Sequence, residues 1–221
     1  MNASKTELII VLDRSGSMSS IKKDMEGGLK SLIEKQAAEP GECLVSVYQF
    51  DDHYEPVFEA VNAKKAPSIT LTPRGSTALR DALGKTINAV GERLAKSAEA
   101  DRPGLVLLAV ITDGFENASK EFGQSQVADL VKHQREKYNW QFVFLGCDQD
   151  SVLSGAAYGF SAGASMTYSK SSVGTGATYS ILSSKLGIMR SDINQFGRLD
   201  KISDTTMFTE EDRKEAVETK P

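Results

Sequence analysis

The sequence predicts an α/β fold with a doubly wound, mainly parallel six-stranded sheet, one antiparallel edge strand and helices on both faces. Apolar runs of strand length alternate along the chain with segments whose apolar residues recur at helical spacing. This alternation is typical of parallel sheets covered by helices. In addition, two strands on either side of residue 52 are joined by a turn too short for a crossover, so they should pair in antiparallel fashion.

Each predicted strand is a short run of apolar residues, or of apolar and polar residues in alternation. The runs at 8–12 and 105–111 are almost wholly apolar, as expected of strands that are buried on both faces. They are therefore the natural central pair of the sheet. The predicted strands are residues 8–12, 44–50, 55–61, 105–111, 140–147 and 165–169.

Between the strands, apolar residues recur every three or four positions, which is the spacing of one helix face. The predicted helices are residues 19–38, 79–94, 124–137 and 179–193, with a shorter helix from about 148 to 157. Two stretches of small residues depart from this pattern. Gly27-Gly28 is interpreted as close packing of the first helix on the sheet, and residues 171–176 as a loop.

The chain is expected to form one domain followed by a tail. Its 221 residues, 40% of them hydrophobic, suffice for one substantial core. We assign residues 1–196 to the domain and residues 197–221 to a polar C-terminal tail that is weakly docked or mobile. Within the tail, Thr209 precedes an acidic stretch and is expected to cap a helical turn.

Composition argues against two classes of partner. The formal net charge is −4 and the sequence pI about 5.4, so the chain lacks the basic surface that attracts nucleic acid or an anionic membrane. The sequence shows neither a signal-peptide pattern nor an apolar run of transmembrane length. Cys43 and Cys147 lie in predicted strands, where buried free thiols are commoner than a disulfide. We therefore expect a cytoplasmic protein.

The chain is organised around Asp13-Arg14-Ser15-Gly16-Ser17, which directly follows the first predicted strand. In an extended turn alternate residues point the same way, so Asp13, Ser15 and Ser17 can converge on one point. Their carboxylate and hydroxyl oxygens suit Mg²⁺, Mn²⁺ or Ca²⁺ better than zinc or copper. The competing interpretation is an ordinary helix N-cap.

Two further oxygen-bearing residues lie at comparable places in the chain. Asp113 follows the strand at 105–111, and Thr77 stands at the start of the helix at 79–94, where its alternative role is again a cap. In a doubly wound sheet, ligands bind beyond the carboxyl ends of the strands where the strand order reverses. Asp13 and Asp113 are therefore expected to meet there.

These residues together resemble a known family. The Asp-x-Ser-x-Ser string at 13–17, the Thr at a helix start and the Thr-Asp-Gly string at 112–114 resemble the von Willebrand factor A (vWA) domain and match its metal-ion-dependent adhesion site (MIDAS) one for one. The resemblance covers roughly residues 5–193. The Gly-Ser-Thr-Ala-Leu string at 75–79 and the Thr-Asp-Gly-x-Glu-Asn string at 112–117 look like those of intracellular bacterial or phage members.

The resemblance implies a role for each of the five residues. Ser15 and Ser17 would bind the metal directly, Thr77 directly or through water, and Asp13 and Asp113 would hold coordinated waters. Since the direct protein ligands are neutral, the metal would keep an open position that attracts an Asp or Glu of a protein partner. The implied function is a metal-dependent protein–protein interaction module that is not an enzyme.

Two other functions stay open: a metal-dependent hydrolase, such as a phosphohydrolase, and a structural subunit whose site no longer binds metal. Against the hydrolase, the sequence has no Walker-type Gly-x-x-x-x-Gly-Lys loop and no Asp-x-Asp pair after the first strand. The two histidines, His53 and His133, fall in a hairpin turn and in a helix, and neither is placed as a base beside Ser15.

Several other residues near this edge have two interpretations each. Asp148 and Asp150 are expected to cap a helix, with a second metal site as the minor alternative. Phe115 either packs on its own loop or contacts a partner. Asp51 and Asp52 are expected at the solvated tip of a hairpin rather than as a catalytic pair.

The loops at 14–20, 74–78 and 115–120 form the expected rim of the metal site and would supply its selectivity. Arg14 and Arg74 are expected to be exposed there. They would either pair with carboxylates of a partner or remain solvated.

Overall fold

A computed structural model describes residues 1–147, 150–197 and 208–218. Within these residues the sheet contains β1 (Asn2–Asp13), β2 (Glu42–Phe50), β3 (Tyr54–Asn62), β4 (Pro103–Thr112), β5 (Gln141–Cys147) and β6 (Ser165–Tyr168). The α-helices are α1 (Lys22–Ala38), α2 (Leu79–Lys96), α3 (Gln124–Tyr138), α4 (Ser151–Ala156), α5 (Ser172–Phe196) and α6 (Glu210–Val217).

The strands lie in the order β3-β2-β1-β4-β5-β6. Neighbouring strands are parallel except β2 and β3, which form an antiparallel hairpin at one edge. The chain moves outward from β1 to β3 on one side and from β4 to β6 on the other, so the order reverses between β1 and β4. The predicted fold class and the central pairing of these two strands are confirmed.

β1 is buried on both faces because its apolar residues alternate between two cores. Leu8, Ile10 and Leu12 belong to one cluster, together with residues of α1 and α5. Ile9 and Val11 belong to the other cluster, which contains residues of α2 and α3. Helices therefore cover both faces of the sheet. Close packing on both sides holds the C-terminal end of β1 in place, and the polar turn after Asp13 begins there.

The structure corrects the prediction of a loop at residues 171–176, since this stretch forms the first turns of α5. Ser171 caps the helix, and its hydroxyl accepts a hydrogen bond from the Gly174 backbone N–H at 3.0 Å. A Cβ on Gly174 would lie 2.7 Å from the Ala216 carbonyl oxygen. The small residues thus permit a close approach between helices, although glycine by itself disfavours a helix.

Gly28 of α1 serves the same purpose at another helix contact. A Cβ at this position would lie 2.1 Å from Cδ2 of Tyr179, a buried residue of α5. A Cβ on the neighbouring Gly27 would meet nothing within 4 Å. The expected close packing is present at Gly28, but it is against α5 rather than against the sheet.

The described part of the C-terminal segment packs against the domain. Thr209 caps α6 as predicted, and Phe208 is 6% exposed. Arg213 donates to two carbonyl oxygens at and before the start of β6, at 2.7 and 2.9 Å. These contacts concern only residues 208–218, and the weak docking or mobility expected of the tail stays a prediction. Residues 198–207 and 219–221 lie outside the described residues, and the domain boundary at 196 stays a prediction.

No helix in the described part of the chain is long and apolar enough to cross a membrane. Cys43 and Cys147 are buried and neither forms a disulfide, as the sequence predicted. Burial raises the pKa of the Cys43 thiol to about 11, so this thiol is protonated at neutral pH and chemically inert.

Candidate metal centre

The turn after β1 places its polar side chains next to one another. Asp13 Oδ1 accepts a hydrogen bond from the Ser15 backbone N–H at 2.6 Å, and the hydroxyl oxygens of Ser15 and Ser17 are 3.1 Å apart. Ser15 occupies the N-cap position of a short 3₁₀ helix, Gly16–Ile21, but its side chain makes no capping hydrogen bond. Helix capping therefore does not account for this hydroxyl.

Thr77 reaches the same point from the loop before α2. A Cβ built on Gly114 would lie 2.9 Å from Thr77 Oγ1. The same position is 3.7 Å from Asp13 Oδ2 and 3.8 Å from Ser15 Oγ. Thr77 does not cap α2, whose N-cap residue is Ala78. Three oxygens of the predicted set thus surround one small space that glycine leaves open.

Asp113 joins the set through its carboxylate, which is 1% exposed. Its Oδ1 accepts a hydrogen bond from Ser17 Oγ at 2.5 Å. Its Oδ2 lies 2.6 Å from Nζ of Lys170, a residue of the turn between β6 and α5. The structure therefore brings the five candidate residues together and adds an ammonium group that the sequence did not predict.

Asp13 sits in an environment that favours a bound cation. Burial raises the pKa of this carboxyl to about 6, while hydrogen bonds from Thr112 and Ser15 oppose the rise. The Thr112 hydroxyl donates to Asp13 Oδ2 at 2.5 Å, and the negative charge of Asp113 adds to the rise. A cation beside such a carboxylate stabilises its charged form. The electrostatics of the site thus favour a positively charged ligand.

Three acceptor side chains hold the loop that carries Thr77 against the loop after β4. Asn117 Oδ1 accepts from the Thr77 backbone N–H at 2.9 Å. Glu116 accepts from a backbone N–H in the first turn of α2 at 2.9 Å. Asp81 accepts from three successive N–H groups of residues 120–122, at 2.8 to 2.9 Å. Burial opposes ionisation of Asp81, but these three bonds lower its pKa.

The five residues fit a hard divalent cation. Their donor atoms are three hydroxyl oxygens and two carboxylates, the ligand types that Mg²⁺, Mn²⁺ and Ca²⁺ prefer. The space at Gly114 is lined by three of these oxygens, and the hydroxyl of Ser15 makes no capping bond. Both features are expected of residues that hold an ion rather than end a helix.

The expectation of a solvated hairpin tip is wrong for Asp51, which is fully buried. Its Oδ2 accepts from Arg14 Nε at 3.0 Å and from Arg74 Nε at 2.9 Å. Burial opposes ionisation, but the hydrogen bond from Arg74 and the charge of Arg14 lower the pKa of Asp51. Arg14 is 5% exposed and also pairs with Glu55 at 2.5 Å. The prediction that Arg14 is exposed is therefore wrong. Arg14 instead connects the loop after β1 to the β2–β3 hairpin through its ion pairs with Asp51 and Glu55.

Asp51, Asp52 and His53 lie close enough together for each to offer one ligand atom to a cation. Asp51, however, already faces two guanidinium groups, so the positive charge that a metal would supply is present. Asp52 is about half exposed and occupies the solvated position that was expected for both aspartates. The ion pairs account for this cluster without a metal.

The remaining side chains at this edge behave as follows. Asp150 caps α4 and accepts from the Leu153 backbone N–H at 3.0 Å, as the favoured interpretation predicted. Asp148 lies outside the described residues. Phe115 is 69% exposed, so it does not pack on its own loop, and contact with a partner is the interpretation that stays open.

Sequence reasoning missed three residues that shape the site. Thr112 precedes Asp113, and its hydroxyl could have been predicted to reach Asp13 across the β1–β4 pair. Asn117 belongs to the Thr-Asp-Gly-x-Glu-Asn string, but its bond to the neighbouring loop was not predicted. Lys170 carries no local signal, because its contact depends on how a turn 57 residues beyond Asp113 is placed (170 − 113).

Comparison with known proteins agrees with this geometry. The family model of the von Willebrand factor type A domain matches residues 7–170. The von Willebrand factor type A structure from Catenulispora acidiphila has a TM-score of 0.56 at 12% identity, covering 82% of this chain and 42% of that chain. No curated protein matches the chain.

Proximal thread matrix protein 1 from the mussel byssus has a TM-score of 0.53 at 15% identity, covering 87% of this chain and 46% of that chain. A second structure of that mussel protein, with a zinc-occupied MIDAS motif, has a TM-score of 0.52 at 16% identity, covering 89% and 46%. The chain spans less than half the length of these structures. Because the family match extends over most of its residues and the fold agrees, the chain belongs to the von Willebrand factor type A domain family.

Proposed function

We propose that this chain is a metal-dependent protein–protein interaction module that binds an Asp or Glu of its partner through a divalent cation. Domains of this family are generally interaction modules. The observation that carries the proposal is the convergence of Asp13, Ser15 and Thr77 around the space at Gly114. Ser17 and Asp113 complete the set through the hydrogen bond between them.

The roles follow from the charge of each ligand. Ser15 and Ser17 would bind the metal directly as neutral ligands, with Thr77 binding directly or through water. Asp13 and Asp113 would hold the waters that complete the shell. A cation with neutral direct ligands retains strong Lewis acidity, and an exchangeable water can give way to a carboxylate of the partner. Thr77 is expected to matter more for the partner-bound state than for metal retention.

Mg²⁺ is the cation we propose, with Mn²⁺ or Ca²⁺ as alternatives, since all the donors are hard oxygens. The zinc in the mussel protein supports divalent binding at a site of this type and makes Zn²⁺ a necessary comparison. The two buried cysteines, neither of them in a disulfide, support a reducing, cytoplasmic location. The strings at 75–79 and 112–117 support a bacterial or phage origin.

The first experiment tests the metal site itself. Calorimetric titration with MgCl₂, MnCl₂, CaCl₂ and ZnCl₂ is carried out on the wild type and on Ser15→Ala and Asp113→Ala. One cation should bind per chain, with clearly weaker binding in both variants at unchanged circular dichroism. Asp129→Ala, an exposed aspartate of α3, is the matched control. Equal affinity in wild type and Asp113→Ala would falsify the assignment.

The second experiment tests the use of the metal. Proteins that the immobilised chain retains from a lysate in Mg²⁺ are identified and expressed. The affinity of each isolated protein for this chain is then measured with Mg²⁺, with EDTA and with the Thr77→Ala variant. A true partner should lose most of its affinity in EDTA and on replacement of one of its own Asp or Glu residues by Ala. If EDTA leaves the affinity unchanged, the metal does not bridge the two proteins, and another face of the domain carries the interaction.

A hydrolase is the competing function, and it predicts turnover rather than binding. Phosphate release from a generic phosphomonoester is measured with Mg²⁺ and Mn²⁺, in the wild type and in Asp113→Ala. We expect no activity above the variant's background. Metal-dependent turnover that Asp113→Ala abolishes would favour the enzyme, whereas absence of any metal binding would favour a structural subunit.

A further inference from the structure

Lys170 is a charged residue at the site that the five-residue set does not include. Its ammonium lies 2.6 Å from Asp113 Oδ2 and is 28% exposed, against 1% for the carboxylate. The other oxygen of Asp113 accepts from Ser17 Oγ at 2.5 Å. One oxygen of the carboxylate thus accepts from a hydroxyl of the proposed metal shell, and the other oxygen faces the ammonium of Lys170.

The backbone around Lys170 is anchored on both sides. The Ser169 N–H donates to the Ala216 carbonyl of α6 at 3.0 Å, and the Ser171 N–H donates to the Ser169 carbonyl at 2.8 Å. Ser171 in turn caps α5. Lys170 therefore extends from a defined backbone position, from which its ammonium reaches Asp113.

The charges at the site give this contact a consequence for metal binding. Asp13 and Asp113 together supply two negative charges when ionised, and Lys170 offsets one of them. A divalent cation that enters the shell meets a like charge and must share Asp113 with it. Like charges at short range in a largely buried site repel strongly. The ion pair and the metal are therefore linked, and each weakens the other.

Building on the proposed function, we propose that Lys170 is a resident counter-cation of the metal site that lowers its affinity for divalent ions through Asp113. The five oxygen ligands alone would bind the ion more tightly than this chain does. Lys170 thereby raises the metal concentration at which the site fills. The alternative is that Lys170 merely ties the β6–α5 turn to β4, in which case its loss would weaken the site or leave it unchanged.

The test is the affinity for Mn²⁺, measured by calorimetry on the wild type, Lys170→Gln and Lys170→Arg. Lys170→Gln should bind Mn²⁺ more tightly, on the order of tenfold, as is typical of couplings between linked ligands. Lys170→Arg, which retains the charge, should stay near the wild type. Lys85→Gln is the matched control, because Lys85 forms an ion pair of the same 2.6 Å length with Glu121 at 33% exposure. Its loss should leave the affinity unchanged.

A double-mutant cycle with Asp113→Asn identifies the route of the effect. In that background the gain from Lys170→Gln should be clearly smaller than in the wild type, because the carboxylate that both cations share has become neutral and only their direct repulsion remains. An undiminished gain would show that Asp113 is not the route. If the wild type binds Mn²⁺ and Lys170→Gln binds no more tightly, this inference is wrong while the proposed function stands. If neither binds, both are wrong. Lys170→Met, which keeps the aliphatic stem, is the second variant, and unfolding of both neutral variants would assign Lys170 a structural role instead.

Discussion

Substituting Gly114 by Ala tests the geometry of the site without removing a ligand. Gly114 is not among the glycines with positive φ, so alanine can adopt its backbone conformation. The added methyl group would lie 2.9 Å from Thr77 Oγ1. An ordinary contact needs about 3.4 Å, so the hydroxyl must retreat by roughly 0.5 Å (3.4 − 2.9). The methyl group would also occupy space that faces Asp13 and Ser15.

The size of the effect follows from the coordination rules of each cation. Mg²⁺ demands near-ideal octahedral geometry at short metal–oxygen distances, whereas Ca²⁺ accepts longer and more variable ones. Displacement of one oxygen of the shell should therefore weaken Mg²⁺ binding by about tenfold, the lower end of the range for disturbed metal-site neighbours. The loss of Ca²⁺ affinity should be smaller. Stability without metal should fall by about 1–3 kcal/mol, because the methyl group crowds the buried hydroxyl of Thr77.

Calorimetry with MgCl₂ and CaCl₂, together with thermal unfolding in EDTA, measures both effects. Gly176→Ala is the control, since a Cβ at that exposed position of α5 meets nothing within 4 Å. It should leave the affinities for both ions unchanged. If Gly114→Ala binds Mg²⁺ as tightly as the wild type, the oxygens around Gly114 do not form the metal shell, and the proposed ligand set is wrong.

Three further predictions concern stability. Asp81→Asn should lower the unfolding free energy at pH 7, measured by urea titration, by about 1–2 kcal/mol. Because the pKa of Asp81 is lower in the folded state than the ordinary value of 3.8, the difference between the two proteins is present above pH 3.8. It should vanish as the pH falls through the folded-state pKa. Gly28→Ala should destabilise by about 1–3 kcal/mol through the Tyr179 ring, and Gly27→Ala should stabilise by about 0.5–1 kcal/mol; equal melting temperatures would contradict the packing. Arg213→Ala should make residues 208–218 the first to be cleaved in limited proteolysis, and an unchanged cleavage order would show that its two bonds are dispensable.

The sheet and the convergence of the candidate residues were predictable because both depend on short-range patterns. The apolar runs before Asp13 and Asp113 identify buried parallel strands. Once such strands are adjacent, their carboxyl ends must meet at one edge. The sequence therefore places two carboxylates and the hydroxyls that follow Asp13 in one region, without knowledge of any long-range contact.

The failures have a different cause, since each depends on a tertiary contact that composition hides. The stretch at 171–176 resembles a loop until α6 is packed beside it, where its small residues become necessary. Asp51 resembles a solvated turn residue until two arginines from separate loops surround it. Lys170 resembles any surface lysine. Small and charged residues take their roles from neighbours that are distant in the sequence, so local propensity gives the wrong answer for them.

The pairing of Arg14 and Arg74 with Asp51 changes how the rim can recognise a partner. Both guanidinium groups pair with a buried carboxylate, and releasing Arg14 for an external partner would remove one of the two charges that neutralise Asp51, which is costly in a buried site. Arg14 is thus a poor contact for further acidic residues of a partner, whereas Arg74, whose side chain is 56% exposed, stays accessible. The proposed cation, Lys170 and Arg74 are then positive features of this edge that a partner carboxylate can reach. Phe115, at 69% exposure, offers an apolar contact on the adjoining loop, so a partner of the proposed kind would carry an apolar residue close to its Asp or Glu.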